Sequence, residues 1–282
     1  MEPSAEEMRA LVARANVVRR HIVRMIANAG AGHPGGSLSA TDVIVCLFFN
    51  LMRVDPARPD WPDRDRFVLS KGHAAPALYA ALAERGYFPI EHLMTFDHVD
   101  SILQGHPDML KTPGVDMSTG SLGQGLSAAI GMALGARLRR SPFHTYVLLG
   151  DGELQEGQVW EAAMLAAKYR VDNLTAIVDV NGLQLVDRTC VVMPSCDPLE
   201  AKWSAFGWNV LEMDGHNIAE ILRVLGQARQ CTGAPTVVLS HTVKGKGVSF
   251  MENNVAWHSR GLTPEELERA LRDLDDSCGG VP

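Results

Sequence analysis

Apolar residues recur at helical spacing through the first long segment of the chain, residues 5–28. They stand at Leu11, Ala15, Val18, Ile22, Val23 and Ile26. This period predicts an amphipathic helix. Gly30 and Gly32 follow, and glycine commonly ends a helix because it tolerates left-handed backbone. We expect a second, buried helix that has Ser39 as its N-cap and runs to Phe49.

Farther along, short apolar runs rich in β-branched residues alternate with helical patterns. Strands are predicted at residues 67–69, 146–149, 174–178, 209–213 and 236–239. Helices are predicted at about residues 77–85, from the end of a glycine-rich loop (103–125) to Arg140, and at about 159–169, 199–206 and 218–229. Such alternation is typical of parallel βαβ units. The predicted fold class is therefore α/β, an open, mostly parallel sheet with helices on both faces, whose ligands gather beyond the carboxyl ends of the strands.

No internal repeat or change in composition divides the chain, so residues 1–282 are expected to form a single domain that starts with the N-terminal helix. A length of 282 residues, 46% of them apolar, is sufficient for one large hydrophobic core. The segment from about residue 273 to 282 is polar, and we expect it to be a frayed tail.

Charge and hydropathy narrow the classes of partner. Acidic residues outnumber basic ones by 33 to 26, for a formal net charge of −7, whereas non-specific nucleic-acid binding needs a basic surface. The longest purely apolar run, residues 43–49, is too short to span a membrane, and residues 1–20 lack a secretory core. We therefore expect no nucleic acid and no membrane as partners, and a cytoplasmic location.

The cysteines give no sign of a disulfide framework or a thiolate metal site. There are five, none of them paired as CxxC, namely Cys46, Cys190, Cys196, Cys231 and Cys278. An odd number of scattered cysteines is typical of isolated buried or surface thiols.

Four of the ten histidines directly follow a glycine: His33, His73, His106 and His216. The first three lie in predicted loops, where glycine lets the backbone approach a ligand and histidine supplies a donor or base near neutral pH. Any one of them alone could cap a helix or close a turn. Three in the loops of one parallel sheet favour a binding site.

Two glycine-rich segments resemble nucleotide-binding loops but do not meet their requirements. Residues 30–35 match GxGxxG, yet they follow a helix instead of a strand and carry proline at the fifth position. Residues 244–247 lack the spacing of a Walker A loop. A dinucleotide-dependent oxidoreductase is thereby excluded, while Lys244 and Lys246 could either face an anion or form a solvated basic loop.

A carboxylate and a carboxamide follow two consecutive predicted strands. Gly150-Asp151-Gly152 comes directly after the strand at 146–149, and Asn181-Gly182 follows the next strand along the chain. Mg²⁺ and Ca²⁺ bind hard oxygen ligands and share their coordination with phosphate oxygens and water. The spacing across one βαβ unit therefore predicts a divalent-metal site beside a diphosphate.

GDG, a helix and then an asparagine at the next strand end resemble the thiamine diphosphate-binding motif, and the surrounding sequence resembles transketolase. The matching stretches are GHPGG at 32–36, SKGHA at 70–74, GHP at 105–107, TGSLGQG at 119–125 and GDGELQEG at 150–157. The resemblance extends from Arg19 to about Gly261 and corresponds to the N-terminal, diphosphate-binding half of the single-chain enzymes. It implies the thiamine diphosphate-binding fold (PP domain) and one subunit of a split transketolase.

The resemblance also implies the cofactors and their ligands. Asp151 and Asn181 would bind Mg²⁺, or alternatively Ca²⁺, through their side chains, and Leu183 would bind it through its backbone carbonyl. The residues implied to contact thiamine diphosphate are His73, Gly120, Ser121, Leu122, Gly152, Glu153, Asn181 and His258. Neutralising a diphosphate in an acidic protein requires both a metal and donors of this kind.

Four further residues are implied to act in catalysis. His33 and His106 would face the substrate, hydrogen-bond its hydroxyls and move protons while a carbon–carbon bond is broken. Glu156 and Glu161, on the helix after GDG, resemble the acidic pair that links the two cofactor sites across the dimer interface of the family. The alternative for this pair is an ordinary solvated helix face.

Three departures from the family pattern leave the acceptor open. Ser121 stands where many single-chain members have proline, Ser259 stands where glycine is usual, and Phe96-Asp97-His98 replaces a more basic stretch. None of them removes a ligand named above.

The implied activity is transfer of a two-carbon ketol unit from a ketose phosphate to an aldose phosphate or a specialised acceptor. The expected partner is a C-terminal transketolase subunit with pyrimidine-binding and C-terminal domains, in an α2β2 heterotetramer that acts on a sugar phosphate or related ketose. Two alternatives remain: an E1- or synthase-type subunit that loads a two-carbon unit onto a carrier, and a non-catalytic partner-binding protein. The pair His33 and His106 argues against the first, and the complete ligand set argues against the second.

Overall fold

A five-stranded, wholly parallel sheet forms the centre of the computed structural model, which describes residues 4–194 and 198–276. The strands are β1 (Arg66–Leu69), β2 (Thr145–Gly150), β3 (Leu174–Val180), β4 (Asn209–Asp214) and β5 (Thr236–His241). Their order in the sheet is β1-β2-β3-β5-β4. The five predicted strands are thus confirmed, each extended by one or two residues.

Helices cover both faces of this sheet, as predicted. They are α1 (Ala5–Ala29), α2 (Pro34–Cys46), α3 (Ala75–Arg85), α4 (Gln124–Arg139), α5 (Gly157–Lys168), α6 (Thr189–Val192), α7 (Leu199–Ala205), α8 (Ile218–Gln230) and α9 (Pro264–Asp276). The α/β fold class is therefore confirmed.

Successive side chains of each strand enter two separate hydrophobic cores. In β1, Phe67 and Leu69 belong to the core shared with α1, α2, α3 and α8, whereas Val68 belongs to the core shared with α4, α5 and α7. In β2, Leu148 and its neighbour Leu149 divide in the same way. A parallel sheet covered on both faces needs apolar residues at every strand position, which explains the continuous apolar runs in the sequence.

The start of α2 differs from the prediction. The helix begins at Pro34 with His33 as its N-cap, and Ser39 lies inside it. Proline suits the first turn of a helix because its fixed φ is helical and its missing N–H would have no helical partner there. The hydroxyl of Ser39 instead donates to the buried carboxylate of Asp179 at 2.6 Å. The predicted N-cap at Ser39 is therefore wrong, and His33 is placed at a helix N-terminus.

The segment Pro34–Leu51, made of α2 and a following π-helical turn, is apolar and long enough to pass a membrane-span test based on length and composition. Within the fold, 83% of it is buried. Burial between α1, α3 and α8 accounts for its apolar composition, as in the core helix of a soluble protein.

The C-terminal region also corrects the sequence analysis. Residues 273–276, expected in a frayed tail, form the last turn of α9, and Leu274 is buried against the core. The pattern was missed because α9 is mostly charged, with only a narrow apolar stripe facing α1. Cys46, Cys190 and Cys231 carry free thiols, whereas Cys196, Cys278 and residues 277–282 lie outside the described residues.

Candidate active site

The loops that follow β1, β2, β3 and β5 meet beyond the carboxyl ends of these strands and enclose a cavity of about 380 Å³. Parallel strands direct their carboxyl ends to one edge of the sheet, so the loops converge there. Twelve of the fourteen residues predicted for the site line the cavity: His33, His73, His106, Gly120, Leu122, Asp151, Gly152, Glu153, Glu156, Asn181, Leu183 and His258. Ser121 and Glu161 do not line it, and both are exposed.

Four histidines form one side of the cavity. The ring of His33 lies 5.2 Å from that of His73, 6.2 Å from that of His106 and 5.7 Å from that of His258, measured between ring centroids. The rings of His73 and His258 are 5.3 Å apart. Residues from four separate loops are thus brought together, three of which the Gly-His pattern identified. The fourth Gly-His residue, His216, does not line this cavity.

Burial and neighbouring positive charge keep three of these imidazoles neutral. Burial, with the nearby His106 and Lys244, lowers the pKa of His33 to about 4. Burial and Lys244 lower the pKa of His258 to about 3, and burial and Lys71 hold the pKa of His73 well below its usual value. Neutral imidazoles can donate from one nitrogen and accept at the other, which suits the binding of hydroxyl and phosphate oxygens.

Tyr79 holds the backbone of the loop that carries His106. The hydroxyl of Tyr79, a fully buried residue of α3, lies 3.0 Å from the carbonyl oxygen of His106 and 2.9 Å from that of Gln104. On the cavity side, a Cβ at Gly120 would lie 3.1 Å from the His106 ring, and Gly120 has a φ of +146°. Only glycine combines this backbone with so close an approach.

Three oxygen ligands of the predicted metal site come together at the ends of β2 and β3. The carboxylate of Asp151 accepts from the amides of Gly152 (2.8 Å) and Gly182 (2.6 Å), which fixes both loops to one side chain. The Asn181 amide donates to Asp179 at 3.2 Å, and its oxygen accepts from the Leu183 amide at 3.1 Å. Burial and the nearby Asp179 raise the pKa of Asp151 to about 6, although the amides of Gly182 and Gly152 oppose the shift.

This donor set fits a hard divalent cation. It offers one carboxylate, one carboxamide and the backbone carbonyl of Leu183, all oxygen atoms, which is typical of Mg²⁺ and Ca²⁺ sites and unlike the nitrogen and sulfur ligands of zinc. In the described residues, no group of three or more His, Cys, Asp or Glu side chains is arranged to hold a metal. That result is consistent with a site in which a single side-chain carboxylate takes part.

Two buried lysines add positive charge to the cavity. Lys71 is 1% exposed and forms an ion pair with Asp179 of β3, while Lys244 is 2% exposed and donates to the Leu183 carbonyl at 3.0 Å. The Lys244 ammonium also lies 2.9 Å from Nδ1 of His258. Burial and the positive charge of Lys71 lower the pKa of Lys244 to about 8. Among the described residues, no carboxylate lies within ion-pair distance of Lys244.

Sequence reasoning identified only part of this charge network. Lys244 was one of two lysines considered to face an anion, and the structure places it in the cavity but leaves Lys246 partly exposed outside it. Lys71 and Asp179 were not predicted. An aspartate among the buried residues of strand Leu174–Val180 was the available signal, because a charged side chain is buried in a strand only when it is paired.

The carboxylate of Glu153 binds groups from three separate loops. Its carboxylate accepts from the amides of Gly123 (2.9 Å) and Gly150 (3.0 Å) and from the hydroxyl of Ser70. Burial raises its pKa despite these bonds. Glu153 therefore connects the loops after β1 and β2 to the start of α4, and its carboxylate oxygens are already satisfied.

The two acidic residues around α5 are both exposed. Glu156 is the N-cap residue of α5 and lines the cavity, with its Cβ packed close to Gly123. Glu161 lies in α5 outside the cavity. They face outward from this chain, the placement that an interface pair would need.

Comparison with known proteins agrees with this geometry. The family described as transketolase, thiamine diphosphate binding domain, matches residues 11–275. The chain is 50% identical to the 6-deoxy-6-sulfo-D-fructose transketolase subunit SqwG of Clostridium sp. (strain MSTE9), over 93% of this chain and 95% of that protein. It is 43% identical to an apulose-4-phosphate transketolase subunit of Phocaeicola vulgatus, over 92% and 91% of the two chains.

A solved structure gives the same result for the fold. Pichia stipitis transketolase in complex with sedoheptulose-7-phosphate superposes with a TM-score of 0.89 at 31% sequence identity, covering 97% of this chain. The chain spans only 42% of that protein. Sequence and structure thus agree over nearly the whole chain, and the chain belongs to the transketolase family, of which it contains the thiamine diphosphate-binding domain.

Proposed function

We propose that this chain is the diphosphate-binding subunit of a two-component transketolase, which transfers a two-carbon ketol unit with thiamine diphosphate and Mg²⁺ once a second subunit is bound. The single observation that carries the proposal is the buried ammonium of Lys244, which faces the cavity without a carboxylate partner among the described residues. A buried cation of this kind is costly unless an anion offsets its charge.

The groups around Lys244 suit a diphosphate. Neutral His73 and His258 offer ring N–H donors, and Gly152 brings backbone close to the cavity, where a Cβ would lie 3.0 Å from the side chain of Gln184. The cavity therefore offers an anion one ammonium that has no carboxylate partner among the described residues, together with several neutral donors, although the chain as a whole carries a net charge of −7. Local positive charge in an acidic protein favours one specific anionic ligand over general anion binding.

The oxygen ligands Asp151, Asn181 and Leu183 would hold Mg²⁺ between this chain and the diphosphate, with Ca²⁺ as the alternative ion. In the protein, Asp179 supports this arrangement because it accepts from the Asn181 amide nitrogen and so fixes the orientation of the carboxamide, whose oxygen accepts from the Leu183 amide and has a second lone pair for the metal. Lys244 donates to the same Leu183 carbonyl at 3.0 Å. The metal and the lysine would together neutralise the cofactor's negative charge.

The substrate end of the cavity is formed by His33 and His106. When bound, thiamine diphosphate supplies the carbon nucleophile and accepts the negative charge left by carbon–carbon cleavage. His33, neutral and partly buried, can donate to or accept from a substrate hydroxyl. His106 is exposed at the cavity mouth, where it can hold a proton near the reacting carbon atoms.

Several features support a partner protein that closes the cavity. The chain matches less than half of a single-chain transketolase, whereas relatives named as transketolase subunits match it over more than nine-tenths of their length. Elements beside the cavity also expose large apolar side chains, namely Met164, Leu165 and Tyr169 near α5 and Leu185, Val186 and Val191 after β3. Exposed apolar surface next to a site favours a protein that covers it. We propose that the covering protein is the C-terminal transketolase subunit, in a cytoplasmic α2β2 assembly.

The names of the relatives indicate a range of sugar substrates. One is a 6-deoxy-6-sulfo-D-fructose transketolase subunit, and another belongs to an apulose-4-phosphate transketolase. We therefore propose a ketose that carries a terminal anionic group, phosphate or sulfonate, as the donor class for this chain.

The experiment that tests the proposal combines affinity capture with reconstitution. The tagged chain is recovered from its native cells, and proteins retained in stoichiometric amount are identified by mass spectrometry. A retained chain with the pyrimidine-binding and C-terminal domains of transketolase is then co-purified with this chain and assayed for ketol transfer with thiamine diphosphate and Mg²⁺. Recovery of copies of this chain alone, or a lipoyl or carrier protein as the retained partner, would overturn the proposal.

A further inference from the structure

His216, the fourth histidine that follows a glycine, lies behind the cavity and contacts two charged or polar groups with its two ring nitrogens. Nδ1 is 2.7 Å from the carboxylate of Asp42, in the middle of α2. Nε2 is 2.8 Å from the backbone nitrogen of Val243, the residue before Lys244. The side chain is 12% exposed, so both contacts are largely protected from water.

These contacts define the state of the ring. A backbone N–H can only donate, so Nε2 of His216 accepts from Val243 and carries no proton. The remaining ring proton is then on Nδ1, which donates it to Asp42. The imidazole is therefore a neutral connector with one defined tautomer.

Asp42 is fixed on its other side. Arg19 of α1 donates to both carboxylate oxygens, at 3.0 and 2.6 Å. Burial alone would raise the pKa of Asp42, but Arg19 and His216 hold this pKa below its usual value, so the carboxylate is charged. A bidentate arginine–carboxylate pair is geometrically specific, which makes Asp42 a rigid acceptor for the His216 ring.

We infer that His216 is a positioning residue for the cofactor pocket: it fixes the backbone at Val243 and thereby the Lys244 ammonium. The inference rests on the proposed function, since the anion that Lys244 would meet is the diphosphate. A chain of direct hydrogen bonds leads from Arg19 through Asp42 and His216 to the segment that carries Lys244. His216 itself does not line the cavity.

The backbone after β5 explains why a side chain is needed here. Strand β5 ends at His241, and Val243 has left the sheet, so its amide needs an acceptor outside the ladder. Lys244 next to it is held at its carbonyl by the Asn253 amide at 2.9 Å, and Gly245 donates to Gly35 at 3.0 Å. The His216 bond fixes the N-terminal side of this short segment.

Two substitutions each keep one of the two hydrogen bonds of the His216 ring and remove the other. His216→Gln places an amide oxygen near the position of Nε2 and can still accept from Val243, but it loses the bond to Asp42. His216→Asn places a nitrogen near Nδ1 and can still donate to Asp42, but it loses the bond to Val243. The first keeps the support for Lys244, and the second removes it.

The test measures the affinity of this chain, assembled with its partner subunit, for thiamine diphosphate at saturating Mg²⁺ by titration calorimetry. We expect His216→Asn to weaken binding about tenfold, the effect of one lost hydrogen bond, and His216→Gln to stay within about threefold of the wild type. His241→Asn is the matched control, because His241 is exposed and its ring pairs with the exposed Glu212, away from the cavity lining. In a Lys244→Met background, His216→Asn should cause little further loss, since the group that it positions is gone.

The outcomes are distinguishable. If both His216 variants lose affinity in proportion to their loss of thermal stability, or if neither loses any, His216 has no positioning role and the inference is overturned. If the assembled wild-type enzyme binds no thiamine diphosphate, the proposed function fails and the inference fails with it. Nitrogen NMR of the His216 ring gives a check that is independent of the cofactor, because the inference requires protonated Nδ1 and unprotonated Nε2 at neutral pH.

Discussion

The ammonium of Lys244 and the backbone carbonyl of Leu183 are 3.0 Å apart, so a buried lysine and the proposed metal share one oxygen atom as a neighbour. This relationship predicts opposite effects of one substitution. In Lys244→Met, affinity for thiamine diphosphate should fall on the order of ten- to a hundredfold, because a charge-assisted bond to the diphosphate is lost. The free chain should become more stable, because a buried ammonium with a lowered pKa is removed.

Calorimetry at saturating Mg²⁺ and thermal unfolding of the free chain measure these two effects. Lys246→Met is the matched control, since the Lys246 side chain is 38% exposed two residues farther on. Unchanged cofactor affinity in Lys244→Met would remove the main support for the diphosphate site.

Metal dependence provides the second prediction. In Asp151→Asn, the size of the side chain is kept but its charge is lost, so a divalent cation loses its one carboxylate ligand. The wild type should bind thiamine diphosphate much more tightly with Mg²⁺ than with EDTA, whereas the variant should bind equally weakly in both. Titrations with Mg²⁺, Ca²⁺ and EDTA measure this difference. Asp187→Asn, at an exposed position of the same region, should keep the full metal response.

Much of this site follows from sequence because its residues are next to glycine or at strand ends. Asp151 and Asn181 stand directly after β2 and at the end of β3, where the alternation of strands and helices already placed ligand loops. The parallel sheet could also be predicted, because its strands are continuous apolar runs. Such runs are needed only where a sheet is buried on both faces.

The unpredicted part consists of contacts between residues far apart in the chain. Asp179 pairs with Lys71, which is 108 positions away, and His216 meets Asp42, which is 174 positions away. No local periodicity carries such information, because these pairs depend on which strands become neighbours. The start of α2 was misplaced for a related reason: Ser39 resembles an N-cap locally, but its hydroxyl is used by Asp179.

A catalytic role of His106 predicts a separation between binding and turnover. In His106→Ala, affinity for thiamine diphosphate should change little, while kcat of the assembled enzyme should fall about a hundredfold, a typical effect of losing a proton-transfer group. Tyr79→Phe should lower kcat by a smaller factor, about tenfold, because it only frees the backbone that carries His106. Steady-state kinetics beside calorimetry resolve the two effects. Equal losses of affinity and kcat in His106→Ala would assign this residue to cofactor binding.

The buried, neutral His144 predicts how the stability of the fold depends on pH. Burial, with Arg229 nearby, lowers the pKa of His144 to about 4, and its Nε2 is 2.8 Å from the Thr175 hydroxyl. In the unfolded chain the His144 imidazole takes up a proton near pH 6.5, whereas in the folded chain it does so only near pH 4. The contribution of neutral His144 to stability is therefore fully present above about pH 6.5 and is lost as the pH falls toward 4. Between pH 7 and pH 5, this one residue should lower the free energy of unfolding by about 2 kcal/mol. Urea unfolding of the wild type and His144→Gln at both pH values measures the difference, which the variant should lack. The exposed His98→Gln should behave like the wild type, and an identical pH response in all three proteins would show that His144 is not the group responsible.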